Sequence, residues 1–177
     1  MLYRLYRPED FDALYAIEER CFEPPFRFGR SYMRQLVRSA NAAPWIAEKD
    51  GRMVGFAIVE WAHRISGVPC DRSSSLGCKI GVTAYIQTIE VAPEARDRGV
   101  GRELLGRSEG SARRAGARLI WLHADAENAV AIRLYEAQGY CCKDRQEDYY
   151  PMGGAALIYV KRLDSGNTSK AVCKPVQ

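Results

Sequence analysis

A strand that runs into a basic, glycine-bearing turn is the first stretch of the sequence whose residues could do chemistry. Residues 85–91 are largely apolar, and Gly99 and Gly101 follow shortly afterwards. Backbone N–H groups at the start of a helix have no partner within that helix, and the helix dipole favours an anion there. Three arginines add positive charge around this turn, namely Arg96, Arg98 and Arg102. The pattern is typical of a turn that holds a phosphate or pyrophosphate, and an ordinary strand-to-helix turn on a basic surface is the alternative.

The length and composition of the chain fit one globular domain. It has 177 residues, of which 47% are hydrophobic and 27% charged, and its net charge is +4. We expect a single domain over residues 1–163 and a polar, disordered tail over 164–177. No apolar run approaches the ~18 residues of a membrane span, and the basic residues are scattered, which predicts a cytoplasmic protein with no membrane and no nucleic-acid partner. The six cysteines form no CxxC pair, which predicts free thiols and no metal site, with a metal or disulfide role of Cys70 and Cys78 as the alternative.

The hydrophobic pattern predicts strands that alternate with helices. An N-terminal strand precedes a helix that Pro8 opens, and a second helix covers 31–38. Asp50-Gly51 between apolar runs predicts a hairpin of 45–48 with 53–61. The remaining elements are a long loop over 62–81, strands over 82–91, 119–124, 156–161 and from 140 to a break at 149–154, and helices over 99–116 and 128–138. This order predicts an α/β layered domain.

Three separated motifs occur in one order along the chain. They are strand-Pro-x-x-Arg96-x-x-Gly-x-Gly-helix, then Leu-x-Ala-x-x-x-Asn128-x-x-Ala-Ile-x-x-Tyr135-x-x-x-Gly-Tyr, then Tyr149-Tyr150-Pro151. Together they resemble the GCN5-related N-acetyltransferase superfamily over roughly residues 1–162. The Tyr-Tyr-Pro hairpin is most similar to that of the amino-terminal (Nα) protein acetyltransferases, which include the ribosomal-protein alanine acetyltransferases. The resemblance implies a mixed, mostly antiparallel sheet of six to seven strands, flanked by about four helices.

The resemblance also implies acetyl-CoA as cosubstrate and a protein or peptide N-terminus as acceptor, with a homodimer or an auxiliary subunit as further options. The implied cosubstrate-binding residues are Arg96, Asp97, Arg98, Gly99, Val100, Gly101 and Arg102 for the pyrophosphate, the backbone of Ile89, Glu90 and Val91 for the pantetheine arm, and Asn128 and Tyr135 beside the thioester. The implied acceptor groove has Phe22, Pro25 and Phe26 on one wall and Tyr149 and Tyr150 on the other.

Acetyl transfer to an amine requires a neutral nucleophile and a proton for the leaving thiolate. Deprotonating a lysine at neutral pH costs roughly 4 kcal/mol, whereas an α-amine costs only about 1 kcal/mol. A weak base therefore suffices for an α-amine.

The resemblance offers two candidates for that base. One Nα-acetyltransferase branch carries Leu-His-x-x-x-x-Asn together with Tyr-Ile-x-Thr, which here implies that Tyr85 and His123 relay the amine proton through a water. The ribosomal-protein branch carries a glutamate at position 123, and this sequence departs from it. Glu90 is the competing base, and Tyr135 is the implied acid for the thiolate. Without the resemblance, each of the three aromatic residues also fits a purely structural role.

Two other functions stay open. The same scaffold could acetylate a small amine or a lysine side chain, or it could bind acetyl-CoA without catalysis. The products formed from a panel of amines distinguish these hypotheses.

Overall fold

A computed structural model describes residues 1–63 and 81–163. Most of the predicted loop over 62–81 and the whole predicted tail over 164–177 lie outside the described residues. The described strands are β1 (Leu2–Leu5), β2 (Ala42–Lys49), β3 (Arg52–Ala62), β4 (Thr83–Val91), β5 (Leu119–Asp125), β6 (Cys141–Tyr150) and β7 (Gly154–Arg162). The described α-helices are α1 (Phe11–Cys21), α2 (Arg30–Arg38), α3 (Val100–Arg114) and α4 (Ala129–Ala137).

The strands form one mixed sheet in the order β1-β2-β3-β4-β5-β7-β6. β4 and β5 are parallel, whereas β1 with β2, β2 with β3, β5 with β7 and β6 with β7 are antiparallel. The seven strands and four helices confirm the predicted α/β class and the implied sheet.

The chain divides into two compact units. The first unit comprises Met1–Glu60 and Ile86–Ser111, and the second comprises Trp61–Tyr85 and Ala112–Gln177. A single domain over 1–163 stays a prediction. Among the described residues, no helix is both long and apolar enough to cross a membrane.

The core of the first unit forms where α1 and α2 pack on β2 and β3. Its most buried side chains are Leu14, Ile17, Met33, Ile46, Phe56 and Ile58. At the N-terminus, the Arg4 guanidinium donates to both oxygens of Asp10 at 2.7 and 2.8 Å and to Glu48 at 2.9 Å. Asp10 also accepts the Arg7 backbone N–H at 2.7 Å, so the turn at Pro8–Asp10 is 3-10 and the α-helix begins only at Phe11.

The second unit contains β5, β7, β6 and α4. Its buried cluster consists of three side chains from β5 and β7, namely Trp121, Ile158 and Val160. β6 is the last strand of the sheet, and its residues 143–149 are all exposed.

Most differences from the predicted elements concern their ends. Asp50 and Gly51 have φ of 51° and 73°, the left-handed conformation of a two-residue hairpin turn, as predicted. β6 continues to Tyr150 and a 3-10 turn begins at Pro151, although the sequence predicted a break from Tyr149. The cysteine prediction is confirmed at Cys21 and Cys142, which are free thiols. It is wrong at Cys141, which is disulfide-bonded.

Candidate active site

The parallel pairing of β4 with β5 brings two of the predicted catalytic residues together. Tyr85 lies opposite Trp121 in the register, and His123 lies two residues further along β5, so all three side chains share one face of the sheet. The Tyr85 hydroxyl is 3.0 Å from His123 Nδ1, a hydrogen-bond distance. The Tyr85 ring also packs on the Trp121 indole, with the ring centroids 4.6 Å apart.

His123 is half-buried, and aromatic rings surround its imidazole. The Tyr149 ring stacks on it at a centroid distance of 4.2 Å and an interplanar angle of 14°, and Trp121 meets it edge-on at 5.3 Å. Burial lowers the pKa of His123 below its usual 6.5, because desolvation penalises the imidazolium. The ring is therefore neutral at neutral pH, and a neutral imidazole can accept a proton.

Trp121 and Thr83 are features of this face that sequence reasoning missed. The Trp121 side chain is 3% exposed, yet neither its Nε1 nor the Thr83 Oγ1 has a hydrogen-bond partner among the described residues. A buried donor without a partner costs about 1–3 kcal/mol. The sequence signal for Trp121 was its position two residues before His123 in the same strand, which puts both side chains on one face.

Asn128 and Tyr135 occupy the two ends of α4. Asn128 is the N-cap residue, and its Oδ1 accepts the Ala131 backbone N–H at 3.0 Å. Tyr135 is buried against Tyr140 and Tyr159, with ring centroids 5.8 and 5.9 Å away. Burial raises the pKa of Tyr135 to about 12, so its phenol keeps its proton at neutral pH, as an acid must.

Tyr149 and Tyr150 end β6 at the hairpin with β7. Their rings meet at right angles, with centroids 4.9 Å apart and an interplanar angle of 87°. Tyr149 stays 37% exposed, whereas burial raises the pKa of Tyr150 above its usual range. Of these two rings, Tyr149 is therefore the more exposed.

In the first unit, the competing base Glu90 lies in a buried carboxyl pair with Glu18. Glu90 is 2% exposed, and its Oε1 accepts from the Thr88 hydroxyl at 2.8 Å. Glu18 is fully buried, and its Oε1 accepts the Phe28 backbone N–H at 2.7 Å. Burial and the neighbouring Glu18 carboxyl raise the pKa of Glu90 far above its usual range.

This carboxyl pair bears directly on the choice of base. The Oε2 atoms of Glu18 and Glu90 have no hydrogen-bond partner among the described residues, and the raised pKa of Glu90 keeps its carboxyl protonated at neutral pH. A protonated carboxyl cannot accept the amine proton. The arrangement favours the Tyr85–His123 pair over Glu90, and the identity of the base stays a prediction. The sequence signal for Glu18 was an acidic residue among the apolar positions of α1.

The glycine-bearing turn joins β4 to α3 in the first unit. Asp97 and Gly99 have φ of 58° and 78°, and a Cβ at Gly99 would meet no atom within 4 Å. Arg98 and Arg102 are exposed, whereas the Arg96 guanidinium donates to the Val91 carbonyl at 3.1 Å. The exposed, open side of this turn fits an anionic group, and Arg96 instead holds the end of β4.

The other predicted binding residues of the first unit lie at the ends of α1 and β4. Phe22 and Phe26 are 38% and 42% exposed, and Pro25 is exposed between them. Ile89 and Val91 are partly buried on β4. The binding roles of these residues stay predictions.

The fold is α/β, with one mixed sheet and a glycine-bearing turn that joins β4 to α3. Residues 11–140 match the sequence profile of the acetyltransferase (GNAT) family, and the chain therefore belongs to that family. The predicted superfamily and enzyme class are thus confirmed at the level of the family. The cosubstrate of this family is acetyl-CoA, as predicted.

Two curated relatives and one solved structure illustrate the range of similar proteins. The [ribosomal protein bS18]-alanine N-acetyltransferase of Escherichia coli is 29% identical over 142 residues, which cover 80% of this chain and 82% of the relative. The mycothiol acetyltransferase of Sanguibacter keddieii is 30% identical over 145 residues, which cover 77% of this chain and 42% of the relative. The structure of Arabidopsis thaliana NAA60 in complex with acetyl-CoA has a TM-score of 0.76 at 22% identity and covers 91% of this chain and 97% of that one.

The lengths of these relatives differ from that of the chain. The chain spans about half the length of some curated relatives that it matches, 55% in one case and 42% in another. At 22% identity, the likeness to the solved structure concerns the fold alone.

Proposed function

We propose that the chain transfers the acetyl group of acetyl-CoA to the α-amino group of a protein or peptide N-terminus, by direct attack in a ternary complex. The observation that carries this proposal is the Tyr85 hydroxyl 3.0 Å from Nδ1 of a neutral, half-buried His123. A pair of this kind is a weak base, and an α-amine needs no stronger one because its own pKa lies near 8.

Acetyl-CoA supplies the activated acyl group as a thioester. As the amine nitrogen forms its bond to the acetyl carbon and the carbon–sulfur bond breaks, one proton must leave the nitrogen and one must reach the sulfur. The Tyr85 oxygen takes the amine proton through a water and passes its own proton to His123 Nδ1. The Tyr135 phenol gives its proton to the leaving thiolate, which its buried, protonated state allows.

The remaining residues bind rather than react in this proposal. Arg98 and Arg102 attract the pyrophosphate at the exposed turn, Gly99 leaves room for it, and Arg96, Asp97, Val100 and Gly101 shape the turn. Ile89, Glu90 and Val91 offer backbone groups to the pantetheine arm. Phe22, Pro25, Phe26, Tyr149 and Tyr150 contact the acceptor peptide, and Asn128 starts α4 beside the thioester.

The names of the relatives support two acceptor classes. The Escherichia coli relative is named for an alanine residue of a ribosomal protein, whereas the Sanguibacter keddieii relative is named for mycothiol. A small-amine acceptor is therefore the second candidate. The predicted cytoplasmic location and an auxiliary subunit stay predictions.

A peptide panel tests the proposal. Peptides that vary at their first two residues are incubated with acetyl-CoA and the chain, each in a free and an α-blocked form with an internal lysine, and the acetylated nitrogen is located by mass spectrometry. We expect acetyl on the first nitrogen of free peptides and none on blocked ones. Turnover confined to lysine or to small amines would refute the proposed acceptor. Acetyl-CoA binding without CoA release from any amine would refute catalysis.

A further inference from the structure

The Tyr149 ring lies on the candidate base although it belongs to the edge strand. β7 separates β6 from β5 in the sheet, so an ordinary β6 side chain does not reach β5. Tyr149 nevertheless stacks on the His123 imidazole at 4.2 Å and 14°. The contact therefore needs a local change in the course of β6.

A bulge in β6 provides that change. Gln146 pairs with Ala156 and Tyr150 pairs with Gly154, so four steps along β6 match only two along β7. Within the extra residues, Asp148 has a φ of 53°, a conformation that few residues other than glycine adopt. Bulges next to active sites often re-aim a side chain, and this one turns Tyr149 towards β5.

The three contacts of the imidazole restrict it in different ways. The Tyr85 hydroxyl fixes the position of Nδ1, but one hydrogen bond allows the ring plane to pivot about it. Trp121 meets the ring only edge-on, at 63°. The near-parallel Tyr149 ring is the contact that sets the plane of the imidazole.

We infer that Tyr149 is a positioning residue for His123, in addition to any contact that it makes with an acceptor. The stack holds the imidazole in the one orientation in which Nδ1 faces the Tyr85 hydroxyl. The effect on turnover rests on the proposed function, whereas the orientation of the ring does not. A structural test that needs no substrate can therefore separate the two.

Nitrogen NMR of the imidazoles provides that test. The chain has only two histidines, so a His63→Gln background leaves His123 as the single imidazole signal. In this background we compare Tyr149→Phe, which keeps the stack, with Tyr149→Leu and Tyr149→Ala, which remove it. Arg145→Ala, an exposed change on the same strand, is the matched control for β6.

We expect a single neutral tautomer of His123 in the parent, in Tyr149→Phe and in the control, and an average of two tautomers in Tyr149→Leu and Tyr149→Ala. With peptide and acetyl-CoA, kcat is expected to fall by about twofold to tenfold in the last two variants, the factor that a lost aromatic pair represents. The Kd for acetyl-CoA is expected to stay unchanged.

Two other outcomes distinguish failure of the positioning role from failure of the proposed function. If the leucine and alanine variants keep one tautomer and the parental kcat while only the peptide KM rises, Tyr149 lines the acceptor site and does not position the base. If only the leucine and alanine variants show altered tautomers but no variant, nor the parent, acetylates any amine, the positioning role stands and the proposed function fails. A thermal melt of each variant excludes unfolding, and the leucine variant preserves most of the volume should the alanine variant unfold.

Discussion

Removing the Tyr85 hydroxyl shows whether this group relays a proton or only makes a structural hydrogen bond. Tyr85→Phe deletes only the oxygen that lies 3.0 Å from His123 Nδ1 and keeps the ring that packs on Trp121. His123→Ala deletes the other partner. If the pair carries the amine proton, we expect each change to lower kcat about 100-fold, the usual lower bound for a general base.

The size of the effect decides between the two roles. A neutral hydrogen bond contributes about 1 kcal/mol, which is roughly a fivefold change in rate. A 100-fold loss corresponds to about 2.7 kcal/mol and exceeds what that bond alone can supply. Since either change breaks the same relay, the double variant is expected to lose about 100-fold as well, rather than the ~10,000-fold of independent effects.

The pH dependence of kcat gives a second criterion. The relay needs neutral His123, and burial lowers the pKa of this imidazole below 6.5. The wild-type kcat is therefore expected to show two acid limbs, one near pH 8 from the α-amine of the peptide and a second below pH 6.5 as the pH drops through the lowered pKa of His123. In His123→Ala the second limb should disappear, because the titrating imidazole is gone.

The assay measures CoA release with a saturating peptide, and acetyl-CoA binding is measured separately. Two matched controls come from the chain itself: Tyr6→Phe loses the hydroxyl of a partly buried phenol, which donates to the Pro8 carbonyl at 3.4 Å, and His63→Ala loses an exposed imidazole. We expect parental kcat in both. A Tyr85→Phe enzyme with less than a tenfold loss, or a double variant whose losses multiply, would refute the relay and leave Glu90 or water as the base.

Three further predictions concern the carboxyl pair, a close backbone contact and a helix cap. Glu90→Gln should keep kcat within about twofold. It should also raise the Tm, by an amount that grows from about pH 5 to about pH 8. The reason is that a carboxyl whose pKa is raised in the folded state destabilises the fold as the pH rises above the pKa of that carboxyl in the unfolded chain. Gly55→Ala would place a Cβ 2.7 Å from the Glu90 carbonyl oxygen and should destabilise the fold by about 1–3 kcal/mol in denaturant titrations. Gly106→Ala, with open space around it in a helix, should instead stabilise it by about 0.5–1 kcal/mol. Asn128→Ala should lower the free energy of unfolding by about 1 kcal/mol, and Asn128→Asp should restore it. Any loss of kcat that persists in the aspartate variant therefore reflects a role in catalysis and not in the helix cap.

The sequence predicts the elements of this fold better than their ends. Hydrophobic periodicity locates β4, α3 and α4, because their apolar residues follow the 2.0- and 3.6-residue repeats of strand and helix. Ends depend on contacts that periodicity does not contain. The first helix starts at Phe11 because Asp10 accepts the Arg7 N–H, and Arg4 fixes that carboxylate in turn.

The candidate site shows the same division. The resemblance to one Nα-acetyltransferase branch selects Tyr85 and His123, and strand alternation places them on one face only once the parallel register of β4 and β5 is known. The stack of Tyr149 on His123 depends on a bulge, which alternation cannot predict. Arg96 has the residue type that binds phosphate, but its guanidinium donates to the Val91 carbonyl.

The exposed edge strand has a consequence for self-association. An edge strand offers unpaired backbone groups to any second copy that approaches it. Along β6 the exposed residues carry charges of both signs, at Lys143, Asp144, Arg145, Glu147 and Asp148, with an ion pair of Arg145 and Glu147 at 2.5 Å. Two copies that joined by this edge would have to desolvate these charges and bring some like charges together. We therefore expect that the sheet does not extend from one molecule to the next along β6, and that concentrated solutions of the protein resist edge-to-edge aggregation at this strand.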